Sequence, residues 1–191
     1  MAWVAVFMLA VLVLGVGIAV QGVSLYNGLV QVKHQVDQSW SNIDVLLKQR
    51  HDELPKLIDA VKGYMSHERE LLEKVTDLRT RAQASEGSAL RLTAEEALSQ
   101  GVSRLLAVAE GYPQLRASEV FIDLQRRITA LEEQIAHRRE FYNAAVNINN
   151  VRMEQFPDNP IASLVGLMPR PLFESKQAER DDVDVAARLG S

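Results

Sequence analysis

The sequence predicts an all-α protein, an N-terminal transmembrane helix followed by an elongated antiparallel helical bundle. Three observations point there. Residues 2 to 20 read AWVAVFMLAVLVLGVGIAV, and the first charged side chain is Lys33. Beyond it, apolar residues recur every three or four positions, the beat of helices with one buried stripe. Leu, Ala, Glu, Arg and Gln abound while aromatics are few, a composition that suits helices.

The anchor comes first, residues 1–23. A helix of about 20 apolar residues crosses the roughly 30 Å hydrocarbon core of a bilayer, so the lipid bilayer is the first expected partner. No Lys or Arg precedes the run, and the run exceeds the apolar core of a signal peptide. It therefore reads as an uncleaved anchor despite the small residues around Ala19. Gly15 and Ala19, four apart, read as ordinary small residues of a membrane helix. Only Lys33 lies near the end of the span, so the positive-inside rule does not orient it.

The bundle is expected over residues 24–155. Leu29, Val32, Val36, Trp40, Ile43 and Leu47 form one stripe, with Asp44 and Lys48 four apart on its flank. No strong breaker separates this helix from the anchor. Pro55 removes a backbone donor and crowds the preceding turn; a kink is expected there rather than a reversal, with a new start after Asp52 as the alternative. The stripe then runs through Leu57, Val61, Tyr64, Leu71, Val75, Leu78 and Ala82. The stretch from Ser85 to Leu92, with Glu86, Gly87 and Ser88 as turn formers, is the best break. Thr93-Ala94-Glu95-Glu96 has the pattern of a capping box that starts a helix at Ala94. Gly111-Tyr112-Pro113 stops that helix. A long one follows from Ala117 to Gln155, with Phe121, Leu124, Ile128, Leu131, Ile135, Tyr142 and Val146 on one side.

At 1.5 Å per residue, the helices before the central break extend about 90 Å, and those after it about as much. An antiparallel layout returns Phe156 towards the membrane. Residues 156–173 hold four of the six prolines around an apolar core from Ile161 to Met168. The segment is too short to span. It is expected to cover an end of the bundle, in preference to lying in the membrane interface. Residues 174–191 lack apolar periodicity and read as a flexible tail, the charges from Glu179 to Asp184 as its solvated face.

Polar residues on apolar stripes are the candidates for a site. Glu68 falls on one stripe, Arg138 and Asn149 on another. Buried alone they are costly; if Glu68 and Arg138 meet, they form a charge-assisted pair. Such a pair fixes helix register, and the competing reading is a ligand or partner site. Trp40, Tyr64 and Tyr142 read as core aromatics, Lys62 and Arg139 as solvated faces.

Most chemistry is missing. The net charge of −4 lies wholly beyond the anchor, which argues against nucleic acid. The absence of cysteine removes disulfides, zinc-thiolate sites and cysteine nucleophiles. His67-Glu68 is half of a zinc-protease pattern, but Leu71 stands where the second histidine belongs. Di-iron helices need Glu-x-x-His pairs, and Tyr64 and Gln134 occupy the places before His67 and His137. No Ser-His-Asp set and no phosphate loop stands out. No catalytic residue, cofactor or metal is expected, and the chain reads as a non-enzyme.

Two stretches carry a resemblance. Residues 26 to 68 and 109 to 163 contain Trp40 with Ile43-Asp44-Val45, Val61-Lys62-Gly63-Tyr64 with His67-Glu68, Tyr112-Pro113, and Tyr142-Asn143 followed by Phe156-Pro157. Together, over Tyr26 to about Phe173, they resemble the LemA family of bacterial membrane proteins. The resemblance implies an N-terminal membrane helix, an elongated all-helical domain, location at the bacterial inner membrane and no established enzymatic activity. The family tends to carry a second Tyr-Asn pair six residues after the first, where this chain has Ile148-Asn149. Before Arg138 it usually has a Thr-Glu-Asn-like sequence, where this chain has Leu131 to Gln134. Glu68, Arg138, Tyr142, Asn143 and Asn149 are thus the candidate polar network or interaction site, and Trp40, Asp44, Pro55, Tyr64 and His67 the core of the motif. The expected function is a membrane-anchored scaffold that self-assembles as a homo-oligomer or docks a protein partner. The alternative is a signalling component that switches at Pro55 or beside the membrane.

Overall fold

The computed structural model describes residues 1–85 and 88–173. Among them there are helices and no strand: α1 (Ala2–Lys62), a 3-10 turn (Ser66–Glu68), α2 (Arg69–Ala84), α3 (Ser88–Ala109), a single turn α4 (Pro113–Arg116), α5 (Glu119–Glu154) and α6 (Asn159–Val165). Expectations for Glu86, Gly87 and the tail 174–191 lie outside the described residues. The chain divides into two compact units, each described by itself. The first joins Met1–Leu54 to Arg126–Pro171, and the second holds Pro55–Gln125 with the stretch beginning at Leu172.

In the first unit, every residue from 1 to 21 is exposed. Apolar side chains without cover continue in the same helix into a stripe that is covered: Leu29, Val32, Val36, Ile43, Leu47 and Leu54 are all buried. Facing them on α5 are Ile128, Leu131, Ile135, Tyr142 and Val146, also buried. The two helix segments run antiparallel. Arg50 meets Glu132, Trp40 meets Tyr142 and Gly28 lies against Arg152, so one number falls as the other rises. After α5, the chain turns through Phe156–Pro157, a cis peptide, into α6. Ala162, Val165 and Leu167 pack there on Leu29, with Val30, Met153 and Ile161 at the margin. Residues 161–167 thus cover Leu29 of the first unit, and the segment contains a short helix that periodicity did not announce.

In the second unit, α2 and α3 pack side by side, close enough that a side chain on Gly101 would meet Leu78 Cδ1 at 2.8 Å. The buried set includes Leu57, Val61, Met65, Val75, Leu98, Val102, Leu105, Leu115 and Phe121. Pro113 opens α4, where a missing N–H costs nothing. Ser118 caps α5: its hydroxyl accepts from the Phe121 N–H at 3.4 Å.

Three expectations about elements need correction. Helix α1 runs on through Pro55 to Lys62 without a reversal, as expected, but the stripe read as continuous to Ala82 is broken at Gly63–Met65. That break resets the phase. Met65 takes the buried place and Tyr64 is left about half exposed, so Tyr64 is not core. Thr93 does not cap a helix, because α3 already begins at Ser88. Its hydroxyl bonds back to the Ala89 carbonyl at 3.2 Å, as a threonine inside a helix does, and Glu95 is fully buried. Arg138 is exposed and its neighbour Arg139 is half-buried. Between Ile135 and Tyr142 the stripe steps by four and then three, not three and then four.

Candidate interaction site

The polar residues of the first unit converge on the irregular backbone after α6. Gly166 ends that helix with a left-handed φ of 71°. Its N–H bonds to the Ser163 carbonyl at 3.1 Å, and the Leu167 N–H bonds to the Ala162 carbonyl at 3.0 Å; this crossed pair closes a helix when glycine follows its last turn. The chain then runs on as a strap from Leu167 to Pro171, with no helix or strand to satisfy its backbone. Side chains do so instead. Lys33 Nζ donates to the Val165 carbonyl at 3.3 Å. Asn149 Nδ2 donates to the Met168 carbonyl at 2.9 Å. Asn150 donates to the Arg170 carbonyl and accepts from the Arg170 N–H, both at 3.0 Å. The Tyr142 hydroxyl donates to the Pro171 carbonyl at 3.2 Å, and the Arg170 guanidinium reaches Asp37 at 3.3 Å.

This gives the tyrosine and asparagine places a mechanical role. Tyr142 is buried, its ring tilted against Trp40 at 5.7 Å between centroids. Burial pushes its phenol above the ordinary value; Arg170 acts to lower it and Asp37 to raise it. Asn149 is buried as the stripe requires. Asn143, Trp40 and Asp44 are half-buried. Asn150, absent from the expected set, completes the clamp; its place beside Asn149 was the available signal.

Glu68 and Arg138 do not form the expected pair. Glu68 is half-buried rather than core, and its Oε1 accepts from the Tyr112 hydroxyl at 3.2 Å. Within the second unit this contact joins two of the quoted motifs, His67-Glu68 and Tyr112-Pro113. It also raises the Tyr112 phenol, through desolvation first and then the bond and charge of Glu68. His67 stands exposed in the turn. Beside it, Met65, Arg69, Leu72 and Thr76 line part of an open groove of about 620 Å³.

The buried ion pair of the bundle lies elsewhere and was missed. Arg50, wholly buried, holds both oxygens of Glu132 at 2.9 and 3.1 Å. One turn on, Arg127 meets Glu53 at 3.2 Å. Arg50 sits three after Leu47 and four before Leu54, so the stripe itself marked it. Among the described residues, no three His, Asp or Glu side chains converge into a metal-holding group.

Comparison with known proteins adds the following. The model of the LemA family matches residues 39–186. The chain is 24% identical to the magnetosome proteins MamQ 1 and MamQ 2 of Paramagnetospirillum magneticum over 179 residues, 80% of this chain. It covers just under two thirds of their length, 66%. It is also 26% identical over 163 residues to Protein LemA of Metamycoplasma hominis, with 84% of this chain and 74% of that one covered.

Proposed function

The chain belongs to the LemA family, and from that premise we propose that it is a membrane-anchored helical scaffold at the bacterial inner membrane. It acts by binding, through self-assembly or by docking another protein, and carries out no catalysis. The observation that carries this reading is the change of character along α1. Residues 1–21 are exposed throughout, and all but Gln21 are apolar or small. The segment is long enough to cross a bilayer, and the same helix then supplies one wall of a packed bundle. Such a helix holds the domain at a membrane surface, where confinement raises its effective concentration for neighbours. The polar groups of the candidate site support the same reading. Tyr142, Asn149 and Asn150 hold a backbone strap, and Arg50 holds Glu132.

Photo-crosslinking in living cells from exposed positions such as Gln49, Glu70 and Glu133, read by mass spectrometry, tests the proposal. Recurrent crosslinks to a second copy identify a self-assembling scaffold, and recurrent crosslinks to one other protein identify an adaptor. Absence of any recurrent crosslink in cells that hold the protein at its native level contradicts both.

A further inference from the structure

The covering segment of the first unit hides one face and bares another. Ala162, Val165 and Leu167 turn inward onto Leu29. Phe156, Leu164 and Met168 turn outward, 88%, 79% and 68% exposed. Outside the anchor, Phe156 and Leu164 are the two most exposed large apolar side chains among the described residues. Three such residues within thirteen positions, around a clamped helix and strap, leave apolar surface that water disfavours.

The antiparallel register of α1 and α5 says what lies next to it. Arg152 lies against Gly28. Helix α5 ends two residues later at Glu154, and Phe156 stands in the turn that follows, at the end of the unit from which the apolar anchor departs. Leu29, on which α6 packs, stands six residues beyond Val23, about 9 Å along the helix. The headgroup layer adds about 5–8 Å on each side of the hydrocarbon, and interfacial helices sink about 5–10 Å into that boundary. Arg152 is paired with Asp158 and Arg170 with Asp37, so the charges of this end are matched within the unit and it is the apolar side chains that favour a lipid boundary.

We propose that Phe156, Leu164 and Met168 form a second, interfacial contact with the lipid surface, next to the point where α1 leaves the bilayer. This rests on the reading of α1 as a membrane span and adds to it. The anchor alone leaves the domain free to tilt about one helix. A second contact fixes its tilt and rotation, so that one face of the bundle is always offered to neighbours. The apolar groups enter the acyl boundary while the strap behind them stays held by Tyr142, Asn149 and Asn150.

The absence of native cysteine makes the test direct. Single cysteines replace Phe156, Leu164, Met168, the anchor residue Leu9 or the distant, exposed Leu90, and each carries a polarity-sensitive dye. The full chain is placed in phosphatidylcholine–phosphatidylglycerol vesicles and probed with brominated lipid and with aqueous iodide. Circular dichroism checks that each labelled protein keeps its helix content. Dye at Leu9 should be quenched by lipid; if it is not, the membrane span itself fails. With Leu9 quenched, the proposal expects lipid quenching at 156, 164 and 168 several-fold above that at 90, together with protection from iodide. Quenching by iodide at all three patch positions overturns it. Protection from both agents overturns it too, and assigns the patch to a protein contact.

Discussion

Arg50 is an entire charged side chain with no exposure, and its partner Glu132 keeps a partly wet edge. Removing one member of a buried pair leaves the other charge uncompensated. Arg50→Ala is therefore expected to cost about 3 kcal/mol in denaturant unfolding, while Arg50→Met with Glu132→Leu stays within about 1 kcal/mol of the native chain. If the single and double variants lose the same stability, the pair is not what the charge is held for. The tyrosines give a pH dependence. Burial raises the Tyr142 phenol above 10.0, so folding favours its neutral form. That contribution is complete below the unfolded value and is lost as pH rises through the folded one. Stability should fall from about pH 10 upward, and Tyr142→Phe should flatten part of that fall. An unchanged alkaline limb in the variant would sever Tyr142 from it.

At the scale of elements, the strap depends on its glycine. Gly166 is left-handed, a conformation that costs a residue with a side chain about 1–2 kcal/mol. Gly166→Ala is expected to lower stability by about 1 kcal/mol and to speed amide exchange at Leu167 and Arg170, whose N–H groups bond within the clamp. Gly63→Ala, where nothing lies within 4 Å, serves as the neutral control. The long helices were legible because period alone defines them: α5 was expected from Ala117 to Gln155 and runs Glu119–Glu154. The break after Lys62 was not legible, since unbroken periodicity and a reset phase differ by a single place, Tyr64 against Met65. The same ambiguity of 3.6 against whole numbers exchanged Arg138 for Arg139. The Thr93 pattern misled because a capping box and an interior Thr–Glu pair share the same letters, and only the actual start at Ser88 separates them. Asn149 was recognised as a polar residue on a core face. Its partner, the Met168 carbonyl, was beyond reach because side-chain periodicity says nothing about where irregular backbone lies.

At the scale of the molecule, one helix carries two environments. From Ala2 its side chains meet no protein, and from Leu29 onward every third or fourth one is enclosed. The most direct measurement is a cysteine scan from Val4 to Val45 in native membranes, labelled with a membrane-impermeant maleimide before and after permeabilisation. Continuous protection through about residue 22, giving way to protection that repeats every three or four residues from Leu29, is the expected result. Labelling throughout residues 4–22 in sealed membranes, or helical periodicity already within that stretch, would mean that protein or water surrounds it, and the anchored scaffold would be wrong.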